Sequence, residues 1–368
     1  MKRKTVPGTV LRYRRNTIKS RLLPWLRRCD MKKKLLCLSP LPDAVVLGLF
    51  TMKAGPEQAE LITAVTLARE AGREELIEAV RDAEFILGDY TMNTLLDAEV
   101  LKAAKRCQLI QQPSAGYQHI DVDAAQAEGI PVANVAGANS VSVAEHTIMA
   151  ALALLKKLII ADEKTKAAEW VQDDLPTIGV FDLAGRTFGI IGMGRIGREV
   201  AKRATAFDCS IVYYDVARLP DETEAELGVA YRPIDELLAE SDVISIHTPL
   251  TPETENLLSE ERIAGIKHNA VVINVARGGV VDEAAMAAAL KEERIDGAAF
   301  DVFTTEPIAK DNPLLGAPKT ILTPHIAGAT NESRLRIIDF AIGNIARALA
   351  GEKPEDMLDD VPWPRPTA

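Results

Sequence analysis

Three short apolar runs in the second half of the chain each end in a side chain that could do chemistry. Ala270–Val275 leads into Ala276-Arg277-Gly278-Gly279. Gly297–Asp301 ends in a carboxylate, with Glu306 shortly beyond it. Thr320–Thr323 leads into Pro324-His325. An arginine offers a planar fork that matches a carboxylate. A histidine titrates near neutrality and can give a proton to a carbonyl oxygen as alkoxide charge builds there. A carboxylate beside that ring favours the imidazolium and orients it. A cation near the developing oxyanion stabilises it electrostatically. Each residue alone has a plainer reading: Arg277 in a surface salt bridge, His325 in a loop, Glu306 as a solvated carboxylate. Their shared place at strand ends joins them, because open parallel sheets bind ligands there.

Upstream, Gly192-Met193-Gly194-Arg195-Ile196-Gly197 follows the expected strand Thr187–Ile191 and opens an expected helix. In that setting G-x-G-x-x-G is a dinucleotide loop. The first glycine permits the tight turn, the second lets backbone approach a pyrophosphate, and the third lets helix pack on strand. Asp215 ends the next strand, Ser210–Tyr214. A carboxylate there accepts hydrogen bonds from ribose hydroxyls and repels a 2′-phosphate, which favours NAD over NADP. Arg218, close by, could soften that preference.

Strands and helices alternate around these residues. In the first part, Leu35–Leu38, Phe85–Leu87, Leu109–Gln111 and Ile130–Ala133 read as strands, and Arg73–Arg81, Asp97–Lys105 and Val122–Glu128 as helices. The stretch 41–67 is ambiguous. A long apolar helix is expected over Ser140–Leu158, with Ser140 as N-cap, as a core helix, an interdomain bridge or an oligomer contact. The second part adds Val243–Ile246 to the strands named above, for six in all. Its expected helices are Arg195–Phe207, Ile234–Ala239, Ser259–Ile263 and Glu283–Lys291, with a last one near 331–350 and a Pro-rich tail from Pro354. The expectation is α/β, with doubly wound parallel sheets.

Composition narrows the setting. The 368 residues hold 43 Lys+Arg and 53 Asp+Glu, a net of -10. Residues 1–30 carry ten bases and only Asp30, leaving a net of -19 on the rest. An acidic body of that kind excludes nucleic-acid binding. The basic segment could be a transit-like or membrane-surface segment, a partner tail, or an upstream extension with Met31 as the effective start. Catalysis is not expected to need it. Cys29, Cys37, Cys107 and Cys209 form no C-x-x-C pair, which points to reduced thiols in a cytoplasmic setting. No stretch approaches the roughly 18 apolar residues of a membrane span, and the five histidines show no metal-ligand spacing.

Asn274–Gly279, Asp301–Pro307 and Thr323–Gly328 resemble three motifs of the D-isomer-specific 2-hydroxyacid dehydrogenases. Ala115–Asp121, Ser142–His146 and His247–Thr251 are similar to further segments of that family, and the likeness runs over about residues 33–350. It implies a Rossmann NAD domain at 139–325 inserted into a flavodoxin-like substrate domain, 31–138 plus 326–368. It implies that Arg277 grips the substrate carboxylate and polarises the 2-oxo group, with Glu306 paired to the acid–base His325. The NAD site would use Gly192, Gly194, Arg195, Ile196, Gly197, Asp215, Thr248, Pro249, Thr254, Val275, Ala276, Arg277, Asp301 (on the nicotinamide carboxamide), His325 and Gly328. The substrate would also meet Ser114, Ala115 and Gly116. His119 is either a second polar contact or a structural residue. The implied substrate is a small 2-oxo or D-2-hydroxy acid such as glyoxylate, hydroxypyruvate, pyruvate or 3-phosphohydroxypyruvate. No metal is implied, and a homodimer is. Two other readings stay open on the same scaffold: an NAD-sensing co-repressor-like binding protein, and a phosphite or formate dehydrogenase.

Overall fold

The computed structural model describes residues 32–365, so the basic segment 1–30 lies outside the described residues. The chain divides into two compact units. One takes the described residues up to Asn134 together with those from Ala341 onward; the other is Val135–Phe340.

The first unit holds a parallel sheet of β1 (Lys33–Cys37), β2 (Ile62–Thr66), β3 (Phe85–Leu87), β4 (Leu109–Gln111) and β5 (Val132–Ala133), in the order β2-β1-β3-β4-β5. This is the flavodoxin-like order. Leu35, Leu36 and Cys37 are all fully buried, as a strand covered on both faces requires. The ambiguous stretch resolves into the helix Asp43–Ala54 and β2. Asp43 ties the two together, its carboxylate accepting from the Thr66 amide at 2.6 Å. From the last helix, Asn331–Leu349, Asn344 donates 2.8 Å bonds to the Gln111 side chain and the Glu355 carbonyl. Those bonds satisfy buried polar groups where the C-terminal segment rejoins this unit.

The second unit holds β6 (Thr187–Ile191), β7 (Ser210–Tyr214), β8 (Val229–Tyr231), β9 (Val243–Ile246), β10 (Val271–Asn274), β11 (Gly297–Phe300) and β12 (Thr320–Leu322). All pair in parallel, in the order β12-β11-β10-β9-β6-β7-β8. This is the Rossmann order with one strand added at the β12 edge. The sheet has seven strands where six were expected. The extra one, β8, is a three-residue edge strand, too short to show a period in the sequence.

Two expectations are corrected here. The helix expected over Ser140–Leu158 ends at Leu155, its N-cap is Asn139 without a side-chain cap, and Ser140 is buried. Most of its side chains are core, and it packs on the helix Arg195–Thr205 and on β10 and β11. The break comes at Lys157, which takes a left-handed conformation (φ 52°). Its ammonium turns inward onto buried Asp296 at 2.7 Å. The unit boundaries also differ from those expected at 138/139 and 325/326: they fall after Asn134 and within the last helix, after Phe340. The start of that helix belongs with Val135–Phe340 because Thr330 bonds Ser142 at 2.8 Å and Arg336 bonds the Ala138 carbonyl at 2.8 Å.

Replacing Lys157 by Met should leave Asp296 buried beside only the more distant Lys319, 3.8 Å away. The expected cost is about 3 kcal/mol, read as a lowered denaturation midpoint by circular dichroism.

Candidate active site

The glycine loop sits where the order of the larger sheet reverses, between β6 and β9, with the backbone of His247 and Thr248 against Gly192. A side chain on Gly197 would run into the Gly192 carbonyl, so only glycine lets the helix start this close to β6. Nothing lies within 4 Å of where a Gly194 side chain would stand. That space opens at the amino end of the helix Arg195–Thr205, where unpaired amides and the helix dipole favour an anion. Asp215 accepts from the Met193 amide at 2.7 Å and the Ala217 amide at 3.2 Å, which fixes the loop and leaves further lone pairs for ribose hydroxyls. Arg218 is held by Glu224 at 2.9 Å and Asp221 at 3.2 Å, and lies over the Tyr231 ring. Those contacts hold its guanidinium against the helix Asp221–Leu227. Burial pushes the His247 imidazole down to about 3, so this ring beside the loop stays neutral. These residues fit a dinucleotide without a 2′-phosphate.

The strand ends carry the second group. Asn274 closes the turn after β10, accepting from the Ala276 amide at 3.1 Å and donating to the Arg277 carbonyl at 3.0 Å. Any side chain on Gly278 would collide with the Phe303–Thr304 backbone, so the Arg277 turn can pack on the segment that carries Glu306. Burial draws the Arg277 guanidinium below the usual arginine range, against the opposing pull of Glu306. Glu306 accepts from the Phe303 amide at 3.0 Å with one oxygen and meets His325 Nδ1 at 2.7 Å with the other. An ionised carboxylate only accepts, so Nδ1 carries the proton and Nε2 is left open for exchange. The three catalytic candidates thus lie on adjoining loops of one unit, each loop fixed by its own hydrogen bonds.

Asp301 differs from a plain cofactor contact. It is 2% exposed, and its carboxylate accepts from Thr323 Oγ1 at 2.5 Å, the Ile326 amide at 2.9 Å and the Ala327 amide at 2.8 Å. Its main chemistry here is to hold the turn that carries His325. Thr254 is 7% exposed, and its hydroxyl is spent inside its loop, on Pro249 O at 2.6 Å and the Thr251 amide at 2.7 Å. It thereby shapes the Thr248-Pro249 loop. Exposed Arg195 reaches the Ala136 carbonyl, Ile196 is half-buried, Val275 and Ala276 are buried, and Gly328 abuts Asn139. Neither Asn274 nor Glu283 was expected in the site. Glu283 accepts from the Thr304 amide at 2.7 Å and so supports the Glu306 loop; its place in the first turn of a helix is the only sequence signal.

In the other unit, the Ser114 hydroxyl is used locally, between Gln112 and the Gly116 carbonyl, both at 2.7 Å. The Ala115 carbonyl accepts from Asn134 at 2.9 Å. The amides of Ser114, Ala115 and Gly116 donate to no group among the described residues, as anion-binding amides would. His119 is buried, and burial holds its imidazole below the usual range against the pull of Asp89. Neither of its ring nitrogens has a partner among the described residues. Among the described residues no His, Cys, Asp and Glu cluster is set to hold a metal, and no helix is long and apolar enough to cross a membrane.

Residues 148–327 match the NAD-binding domain of the D-isomer-specific 2-hydroxyacid dehydrogenases. The chain is 40% identical over 291 residues to a glyoxylate reductase of Thermofilum pendens, covering 78% of this chain and 84% of that one. The chain belongs to this family. It is also 41% identical over 280 residues to a D-3-phosphoglycerate dehydrogenase of Archaeoglobus fulgidus, covering 75% of this chain but only 52% of that longer one. Among solved structures, an NAD-dependent formate dehydrogenase of Staphylococcus aureus in complex with NAD superposes with a TM-score of 0.74 at 28% identity, covering 89% of this chain and 100% of that one. Family members share the two-sheet fold and the dinucleotide unit described above, which makes this chain an NAD-dependent oxidoreductase of the 2-hydroxyacid class.

Changing Asp215 to Ala should cut the preference for NADH over NADPH by about tenfold or more, the worth of a hydrogen bond to a charged group. The ratio of kcat/KM for the two cofactors measures it.

Proposed function

We propose that the chain reduces a small 2-oxo acid, glyoxylate foremost, to the 2-hydroxy acid. The observation that carries this reading is the 2.7 Å pair of His325 and Glu306 beside the half-buried Arg277 turn. NADH would supply a hydride to the carbonyl carbon, held by the Gly192–Gly197 loop and Asp215. Arg277 binds the substrate carboxylate and draws charge toward the carbonyl oxygen. His325 gives its Nε2 proton to that oxygen as the carbon–oxygen double bond opens, and Glu306 keeps the ring oriented and balances its charge. Glyoxylate is favoured because the relative named for it matches over most of its own length, whereas the phosphoglycerate dehydrogenase is about twice as long as the matched part.

Purified protein should oxidise NADH with glyoxylate in a panel that includes hydroxypyruvate, pyruvate and 3-phosphohydroxypyruvate; silence across the panel would sink the reading. His325→Ala should lower kcat about a hundredfold or more, the usual worth of a positioned acid. Arg277→Ala should lower kcat and raise KM together, because its contact serves both substrate and transition state.

A further inference from the structure

The segment Ser142–His146 has no part in the chemistry above, yet it puts a histidine behind the site. His146 lies in the helix Ser140–Leu155, which packs on β10, β11 and β12, the three strands whose ends carry Arg277, Asp301 and His325. Its Nε2 stands 3.4 Å from Thr323 Oγ1, which in turn stands 2.5 Å from Asp301 Oδ1.

The direction of these bonds follows from their chemistry. The Asp301 carboxylate only accepts, so the Thr323 hydroxyl donates to it. The lone pairs left on Thr323 can only accept, so His146 must donate from Nε2. Burial keeps the His146 ring below the usual histidine range against the pull of Asp301, and the contact with Thr323 calls for a proton on Nε2. The neighbouring Glu145 of the same helix pairs with Arg203 of the helix Arg195–Thr205 at 3.4 Å. At the far end of the chain of bonds, His325 sits in the left-handed region (φ 54°), a conformation that costs a non-glycine residue about 1–3 kcal/mol. Its amide donates to Asp301 O at 2.8 Å, and the next two amides donate to the Asp301 carboxylate. The turn keeps this conformation only while Asp301 stays in register.

We propose that His146 is a positioning residue for His325, acting through Thr323 and Asp301. The inference rests on His325 being the proton donor. Without the His146 donor, the Thr323 hydroxyl is free to rotate and Asp301 loses one of its three fixed partners. The His325 ring then drifts from the geometry that proton transfer needs, while the Arg277 and Asp215 loops keep theirs.

The test is steady-state kinetics with glyoxylate and NADH. His146→Leu should lower kcat about tenfold, the scale of a small misplacement at a reacting centre, with both KM values within about twofold of wild type. His146→Gln, whose amide can donate to Thr323, should recover most of the loss. Wild-type kcat in His146→Leu would overturn the proposal, as would equal impairment of the Leu and Gln variants at equal thermal stability. Should His146→Leu not fold, Thr323→Val against Thr323→Ser reads the same link, and equal rates for that pair would overturn it. His325→Ala separates the two readings. Activity retained there removes the donor assignment, whereas an inactive His325→Ala with a normal His146→Leu removes only the positioning role.

Discussion

A single buried carboxylate, that of Asp301, fixes the part of the molecule on which the chemistry depends. It follows β11 directly and binds one hydroxyl and two amides of the turn after β12, while its own carbonyl takes the His325 amide. An ion this buried is costly unless every lone pair in use has a donor, and the turn supplies those donors. The same bonds hold His325 in a backbone conformation it would not choose. The His325 ring is thereby set by the sheet rather than by a loop free to move.

The neighbouring loops follow from that arrangement. Glu306 can reach His325 only because its segment is pinned by Glu283 at Thr304 and by its own bond to Phe303. The Arg277 turn can lie on that segment only because Gly278 has no side chain. Charge, packing and backbone geometry thus converge on three side chains from three strand ends, the place where parallel sheets present their functional groups. The net charge of -10 has no bearing on this local collection of cations and amides.

Much of this was legible in the sequence. The glycine loop, Asp215, Arg277 and His325 stand out by residue type and by position after apolar runs, Glu306 enters only through the family resemblance, and both sheets follow from the alternation of short runs with amphipathic helices. What was not legible is which lone pairs are already spent. Asp301 and Thr254 look like cofactor contacts by type, and their oxygens also hold the loops beside them. Arg218 looks like a lever on cofactor choice, and it also pairs with Glu224 and Asp221. The break at Lys157 carries no glycine or proline to announce it; a buried ion pair with Asp296, far away in sequence, makes the turn. Partners distant along the chain leave no local period in the sequence.

The claim that Asp301 sets His325, the proposed proton donor, is tested most directly by nitrogen NMR of the imidazoles in wild type and Asp301→Asn, without substrate. The account predicts that His325 in the wild type is held as the Nδ1–H form by Glu306. In Asp301→Asn, with the turn released, its ring nitrogens should average between forms while His119, His247 and His268, which lie outside this chain of bonds, are unchanged. An unaltered His325 signal in the folded variant would contradict it.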